Sequence, residues 1–173
     1  MEEFELTYLA KESIIPRLKD SPFKEMLDIY IPASSVHPTL RIRKSGDRCE
    51  ITKKAPIRDE DASHQLETTI PLTQEEFSEL NLLKGKRVSK IRYFYKEGNY
   101  MYEVDVFHGS LRGLVLVDIE FKSHKEKNNF TPPPWVLAEV TQENFVAGGM
   151  LCGKNYEDIS NELKRFGYSK IWT

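Results

Sequence analysis

An α+β protein dominated by antiparallel strands, with a few helices packed against them, is the fold class this sequence predicts. Three observations carry that reading: alternating apolar and polar segments recur along the chain, glycine-containing turns join several of them, and helix caps are few and mostly late. In the opening run MEEFELTYLAK, Phe4, Leu6 and Tyr8 share one face of a strand while Glu3, Glu5 and Thr7 share the other, because successive side chains point to opposite sides. The same pattern marks Met26–Ile31, Thr39–Lys44, Arg48–Lys54, Leu66–Pro71, Val88–Tyr95, Tyr100–Phe107 and Leu114–Phe121. Ser45-Gly46-Asp47, Lys96-Glu97-Gly98-Asn99 and His108-Gly109-Ser110 supply turn chemistry between them, which implies antiparallel hairpins.

A helix is predicted over TQEEFSELNLL, where Thr73 and Glu76 form a capping box and Phe77 with Leu80 supplies an apolar stripe. Two more are predicted late. Thr141 caps QENFVA before Gly148 and Gly149 end it, and Asn155 caps NYEDISNELKRFG, at about 155–167, with Tyr156, Ile159, Leu163 and Phe166 on one face and Gly167 at the stop. NNFTPPPW reads as a stiff connector, since its three prolines rule out helix and ladder pairing.

The 173 residues and 39% apolar content suit one domain spanning 1–173. Lys plus Arg number 25 and Asp plus Glu 27, so a net charge of -2 gives no support for a general nucleic-acid or acidic-membrane surface, and any basic site must be local. With no charged-then-apolar leader and no apolar run near the roughly 20 residues that cross a bilayer, a soluble cytoplasmic protein is expected, with no membrane or nucleic-acid partner. Cys49 and Cys152 lack metal-type spacing and read as reduced core thiols. Scattered histidines at 37, 64, 108 and 124 argue against a zinc site.

Charge falls on one parity of each strand. Arg41 and Arg43 lie opposite Leu40 and Ile42; Glu50, Thr52 and Lys54 share a face; Lys90 and Arg92 flank Ile91; Glu103 and Asp105 oppose Val104 and Val106; Asp118 and Glu120 oppose Ile119 and Phe121. Two architectures satisfy this pattern: an open sheet with a solvated charged face, or a closed barrel with a polar lumen. The sorting of signs favours the cavity, because Arg41, Arg43, Lys54, Lys90 and Arg92 sit mostly on different strands from Glu3, Glu5, Glu67, Glu103, Asp105, Asp118 and Glu120. Sorted charges suit a polyanion carried with a divalent metal. Arginine and lysine take phosphate oxygens directly, whereas carboxylates repel them unless a hard cation such as Mg2+ or Mn2+ lies between.

EFELTYLAK, LRIRK, EITKK, KIRYFY, YEVDVFHGSLRGLVLVDIEF and EVTQENF, in this order, resemble the CYTH family, also called triphosphate tunnel metalloenzymes, which includes class IV adenylate cyclases and thiamine triphosphatases. The likeness runs over nearly the whole chain and is most specific from Glu103 to Phe121. It implies a closed antiparallel β-barrel of about eight strands around a polar tunnel, with helices packed on the outside. It also implies roles: Glu3, Glu5 and Glu120, with Asp118 as a further candidate, would hold Mg2+ or Mn2+; Arg41, Arg43, Lys54, Lys90 and Arg92 would bind triphosphate; Glu3, Glu5, Lys54 and Lys90 would serve catalysis. Glu67, Glu103 and Asp105 fall where the family has further lumen acids, and Glu139 is a more distant candidate.

One position departs from the family signature, which has lysine where this chain has Thr7. Threonine carries no positive charge and is no base near neutral pH, and Lys11 lies about four residues further along the strand, too far to replace it. The resemblance therefore implies metal-dependent hydrolysis of inorganic tripolyphosphate or an organic triphosphate such as thiamine triphosphate. Adenylate cyclisation of ATP and non-catalytic triphosphate binding are the alternatives, and the oligomeric state, with a homodimer as one option, stays open.

Overall fold

The computed structural model describes residues 2–57 and 62–172, with side chains from residue 4 onward. Nine strands form one sheet: β1 (Glu2–Ala10), β2 (Phe23–Ile31), β3 (Leu40–Ser45), β4 (Arg48–Pro56), β5 (His64–Leu72), β6 (Lys86–Glu97), β7 (Tyr100–Phe107), β8 (Val115–Phe121) and β9 (Val136–Glu139). Their spatial order is β5-β4-β3-β2-β6-β7-β8-β1-β9, and a further pairing of β1 with β5 closes the first eight of these into an antiparallel barrel. Closure is short, running from Glu2 opposite Leu66 to Phe4 opposite His64. Beyond it β9 takes over the same edge of β1, with Tyr8 opposite Glu139. Between the two, the Glu5 amide donates to the Ser63 carbonyl (3.2 Å) and the Thr7 amide to Thr141 Oγ1 (3.1 Å), so loops complete the seam that neither strand covers.

The predicted strands are all present, several of them longer at their ends. β6, predicted as Val88–Tyr95, runs from Lys86 to Glu97 because its ladder with β7 continues to Glu97 opposite Tyr100, at the turn where Gly98 takes a φ of 60°. Gly46, with a φ of 57°, makes the same use of glycine between β3 and β4. β9 escapes the alternation test because it is only four residues long.

The apolar parity of the strands faces outward. Val104, Val106, Val115, Val117 and Ile119 pack against the 3-10 turn Glu12–Leu18, Trp135 and the helix α4 (Tyr156–Arg165) in the larger of two cores. α4 carries the predicted Asn155 cap, completed as a capping box by Asp158, and buries Ile159 and Leu163. The smaller core sits under α1 (Gln74–Leu80), where Phe77 meets Ile29, Ile42 and Cys49; its Thr73–Glu76 capping box is the predicted one. A short helix α2 (His124–Asn128) ends on the first residue of the expected connector, and Phe130–Trp135 then follows without helix or ladder.

The helix predicted on Thr141 is not formed as expected. A 3-10 turn at Asn144–Val146 is followed by α3 (Gly148–Leu151), so the two glycines open a helical turn instead of ending one. The physical reason is contact: a Cβ on Gly148 would meet the Tyr30 hydroxyl at 2.0 Å and one on Gly149 would meet the Pro38 carbonyl at 2.2 Å. Both cysteines are free and buried. Among the described residues no helix is long and apolar enough to cross a membrane.

Because the core lies outside the barrel wall, Ile119→Ala, at a fully buried position, is expected to lower the unfolding free energy by about 2–5 kcal/mol. Ile70→Ala on the exposed outer surface of β5 should change it by only about 0.5 kcal/mol. Denaturant unfolding of the two variants checks the contrast.

Candidate active site in the barrel bore

With apolar residues turned outward, the opposite parity turns its charges into a cavity of about 870 Å³. Glu5, Arg41, Arg43, Lys54, Glu67, Lys90, Arg92, Glu103, Asp105, Asp118 and Glu120 all line it. Glu3 belongs to β1 on the same parity, but its side chain lies outside the described residues.

Strand order gives the bore two chemically distinct walls. β7, β8 and β1 are consecutive and bring Glu103, Asp105, Asp118, Glu120 and Glu5 together, with Glu5 directly opposite Glu120 and Glu103 opposite Asp118. β6 borders them on one side with Lys90 and Arg92, and β3 and β4 bring Arg41, Arg43 and Lys54 to the far wall. The sign sorting read along the chain is thus a sorting in space.

Several of these charges are paired. Arg43 Nε and Nη2 donate to Asp28 Oδ1 and Oδ2 at 2.6 and 2.8 Å, a buried two-point fork between β3 and β2. Lys90 Nζ donates to Asp105, and Arg92 reaches Asp105, Glu103 and Asp118. Lys54 Nζ stands 3.3 Å from Glu67, which also accepts from Thr69 Oγ1 at 2.8 Å. Arg41 differs: it has no carboxylate partner among the described residues, and its Nε is buried without a hydrogen-bond partner.

The titrations follow from this geometry. Burial pushes Asp105 up, but Arg92 and Lys90 outweigh it and hold the carboxyl at about 2. Asp28 is lowered well below the usual carboxylate range, its burial overcome by Arg43. Burial also acts on Glu67, where Lys54 and the Thr69 hydroxyl turn the balance downward. Asp118 moves the other way, pushed up to about 6 by burial and by the Glu5 carboxylate, against the pull of Arg92. Burial lowers the Lys90 ammonium, with Asp105 opposing and Arg92 and Arg43 reinforcing the shift.

Thr7, where the family signature has lysine, stands opposite Asp118 and donates its hydroxyl to Oδ1 at 2.9 Å. Lys11 is elsewhere, its Nζ donating to the Pro134 carbonyl at 2.6 Å on the exposed side. Glu139 is not in the bore. It sits on β9 opposite Tyr8, whose ring belongs to the outer core, and lines a separate external groove of about 540 Å³. Asp28 and Tyr30 are among the lumen residues that sequence reading missed. Their shared parity in MLDIYI was the available signal, masked because apolar residues occupy the other parity and a single carboxylate hardly marks a face.

Which residues fit a metal can be asked directly. Among the described residues no three or more His, Cys, Asp or Glu side chains converge as a ready-made cage. Glu5, Glu120 and Asp118 nevertheless supply hard oxygen donors on one wall, where the Glu5 carboxylate adds to burial in pushing Asp118 up. Such a wall fits Mg2+ or Mn2+, since Mg2+ is held through one or two carboxylates together with substrate phosphates and not in an all-protein cage.

A closed β-barrel whose bore carries carboxylates on one wall and guanidinium and ammonium groups on the others defines the class of tunnel proteins. This chain belongs to the CYTH, or triphosphate tunnel metalloenzyme, family. It is 35% identical over 114 residues to the inorganic triphosphatase of Nitrosomonas europaea, a match spanning 65% of this chain and 72% of that protein. Its fold matches the crystal structure of the inorganic triphosphatase NE1496 with a TM-score of 0.60 and 28% identity, covering 87% of this chain and 93% of that one. It also matches the PH1012 protein of Pyrococcus horikoshii with a TM-score of 0.54 at 18% identity, over 97% and 92% of the two chains, a likeness of fold alone. No family model matches the chain.

Asp105 titrates in the folded protein at about 2, below the ordinary aspartate value of about 3.9, and Asp28 is depressed with it. Their contribution to stability is therefore present above about pH 4 and lost as pH falls toward 2. Urea unfolding midpoints are expected to be flat from pH 7 to 5 with respect to these groups and to drop between pH 4 and 2. In Asp105→Asn the drop should be smaller, from a lower starting stability.

Proposed function

We propose that this protein is a divalent-metal-dependent triphosphatase that hydrolyses inorganic tripolyphosphate, or an organic triphosphate such as thiamine triphosphate, inside the bore. The observation that carries the reading is the opposition of an acid wall to basic ones, with Arg41 presenting a buried Nε that has no hydrogen-bond partner among the described residues. An anion with several phosphate oxygens satisfies both features at once. The relative named inorganic triphosphatase supports the same choice.

In this reading Arg41 takes phosphate oxygens directly. Arg43, fixed by Asp28 on one edge of its guanidinium, offers the other edge. Lys54 and Lys90 add ammonium donors from β4 and β6. Glu5 and Glu120, with Asp118 and Glu3, would hold Mg2+ or Mn2+, which when bound neutralises phosphate charge and polarises the phosphoryl oxygens. Water attacks the terminal phosphorus in line, the bridging P–O bond breaks, and orthophosphate leaves with diphosphate or an organic diphosphate. Holding the chain between fixed donors supplies positioning and charge stabilisation, the two contributions phosphoryl transfer depends on most.

Thr7 favours a second reading, a protein that binds triphosphate without turning it over. With its hydroxyl committed to Asp118, it offers no ammonium to orient or deprotonate the attacking water. Adenylate cyclisation has no comparable observation in its favour.

Incubation with tripolyphosphate, thiamine triphosphate or ATP, each with Mg2+ or Mn2+, separates these readings. Release of orthophosphate is expected, and Glu5→Gln should lower the rate roughly 100-fold, the scale for losing one charge-stabilising group, with the melting temperature retained. Tight binding with no release would establish the binder. Formation of cyclic AMP with pyrophosphate would establish the cyclase.

A further inference from the structure

β2 holds the two arginines of β3 in different ways. Asp28 stands directly opposite Arg43 and Tyr30 directly opposite Arg41, and all four side chains face the bore. Asp28 takes Arg43 in a two-point fork and brings a negative charge with it. Tyr30 accepts a hydrogen bond from the Arg41 side chain at its hydroxyl, and burial raises that phenol above its ordinary value, so this partner stays neutral. One arginine is aimed and neutralised; the other is aimed with its charge kept.

The hydroxyl end of Tyr30 rests in turn on Gly148, the first residue of α3. A Cβ at Gly148 would meet the Tyr30 hydroxyl at 2.0 Å and Cζ at 2.9 Å. Gly148 has no left-handed φ, and alanine is intrinsically the better helix former, so what this glycine supplies is room. Val146, Gly148 and Leu151 line the cavity beside Tyr30. A late segment of the chain therefore bears on the basic wall through one phenol that is itself buried, 7% exposed.

We propose that Tyr30 is a positioning residue: its neutral hydroxyl aims the Arg41 guanidinium in the bore, and Gly148, by admitting that hydroxyl, ties segment 144–151 to the basic wall. This rests on the reading that the bore binds a triphosphate. It gives the two glycines that the sequence pattern reads as a helix stop a role in shaping the site.

The test is calorimetric titration of the protein with imidotriphosphate in Mg2+, with melting temperatures recorded alongside. Tyr30→Phe is expected to weaken binding roughly tenfold, the scale for losing one hydrogen bond to a charged group. On an Arg41→Gln background the same substitution should cost almost nothing further, because the group it aims is gone. Gly148→Ala should also weaken binding, and by less on a Tyr30→Phe background, where the displaced hydroxyl is absent. Unchanged affinity in Tyr30→Phe, even with a lowered melting temperature, marks a merely structural tyrosine and overturns the proposal alone. An equal loss on both arginine backgrounds makes Tyr30 itself a phosphate ligand and overturns it too. A wild type that does not bind imidotriphosphate ends the triphosphate reading, and the proposal with it.

Nitrogen-15 NMR of the arginine Nε–Hε groups in the protein without ligand gives a readout independent of affinity. The Arg41 signal, assigned by its absence from Arg41→Gln, is expected to shift in Tyr30→Phe and in Gly148→Ala. If Tyr30→Phe does not fold, Gly148→Ala carries the measurement. An Arg41 signal left in place by these variants overturns the proposal.

Discussion

Charge balance inside a closed bore is the constraint on which the rest of this molecule depends. Closing the sheet from β1 to β5 removes its edges and forces one parity of every strand into a shared interior. That parity is rich in ionised groups, and an isolated buried charge would be prohibitively costly. The bore is tolerable because acids and bases meet at strand boundaries: Asp28 with Arg43 between β2 and β3, Lys54 with Glu67 between β4 and β5, and Arg92 with Asp105 between β6 and β7. Pairs of this kind add little net stability over apolar packing, so their retention points to use. Two features stand apart from this pairing: among the described residues Arg41 has no carboxylate partner on one wall, and on the other Asp118 is pushed up by burial and by Glu5 even with Arg92 beside it.

The same constraint explains where the hydrophobic core lies. A barrel that reserves its interior for charge has to find its apolar contacts outside, and the C-terminal half of the chain supplies them. Trp135, Leu151, Ile159 and Leu163 cover the outer faces of β1, β7 and β8, the strands that carry the acid wall. Rigid packing behind those strands keeps facing carboxylates close despite their mutual repulsion. On the far side the smaller core under α1 backs β2, β3 and β4, which carry Asp28, Arg41, Arg43 and Lys54.

Much of this was legible in the sequence, for a local reason. Strand alternation and turn chemistry act over a few residues, so the hairpins β3–β4 and β6–β7, and the parity of Glu5, Arg41, Arg43, Lys90, Arg92 and Asp118, follow from reading neighbours. Partner choice is not local. That Arg43 is claimed by Asp28, or Arg92 by three acids at once, depends on register across strands. The seam behaves likewise: Thr141 reads as a helix cap by its neighbours, yet its hydroxyl accepts from the Thr7 amide because β5 and β9 leave that part of β1 uncovered. Glu139 reads as a lumen acid by its place in the motif, and the register of β9 on β1 turns it outward.

The central claim is that a cation on the acid wall and the basic groups facing it grip one phosphate chain between them. Crystals grown with Mn2+ and a non-hydrolysable imidotriphosphate, with anomalous diffraction at the manganese edge, test it most directly. The account predicts an anomalous peak beside Glu5 and Glu120, bridged by phosphate oxygens that also meet Arg41. Manganese or imidotriphosphate bound only on the outer surface, with the bore left to water, would contradict it.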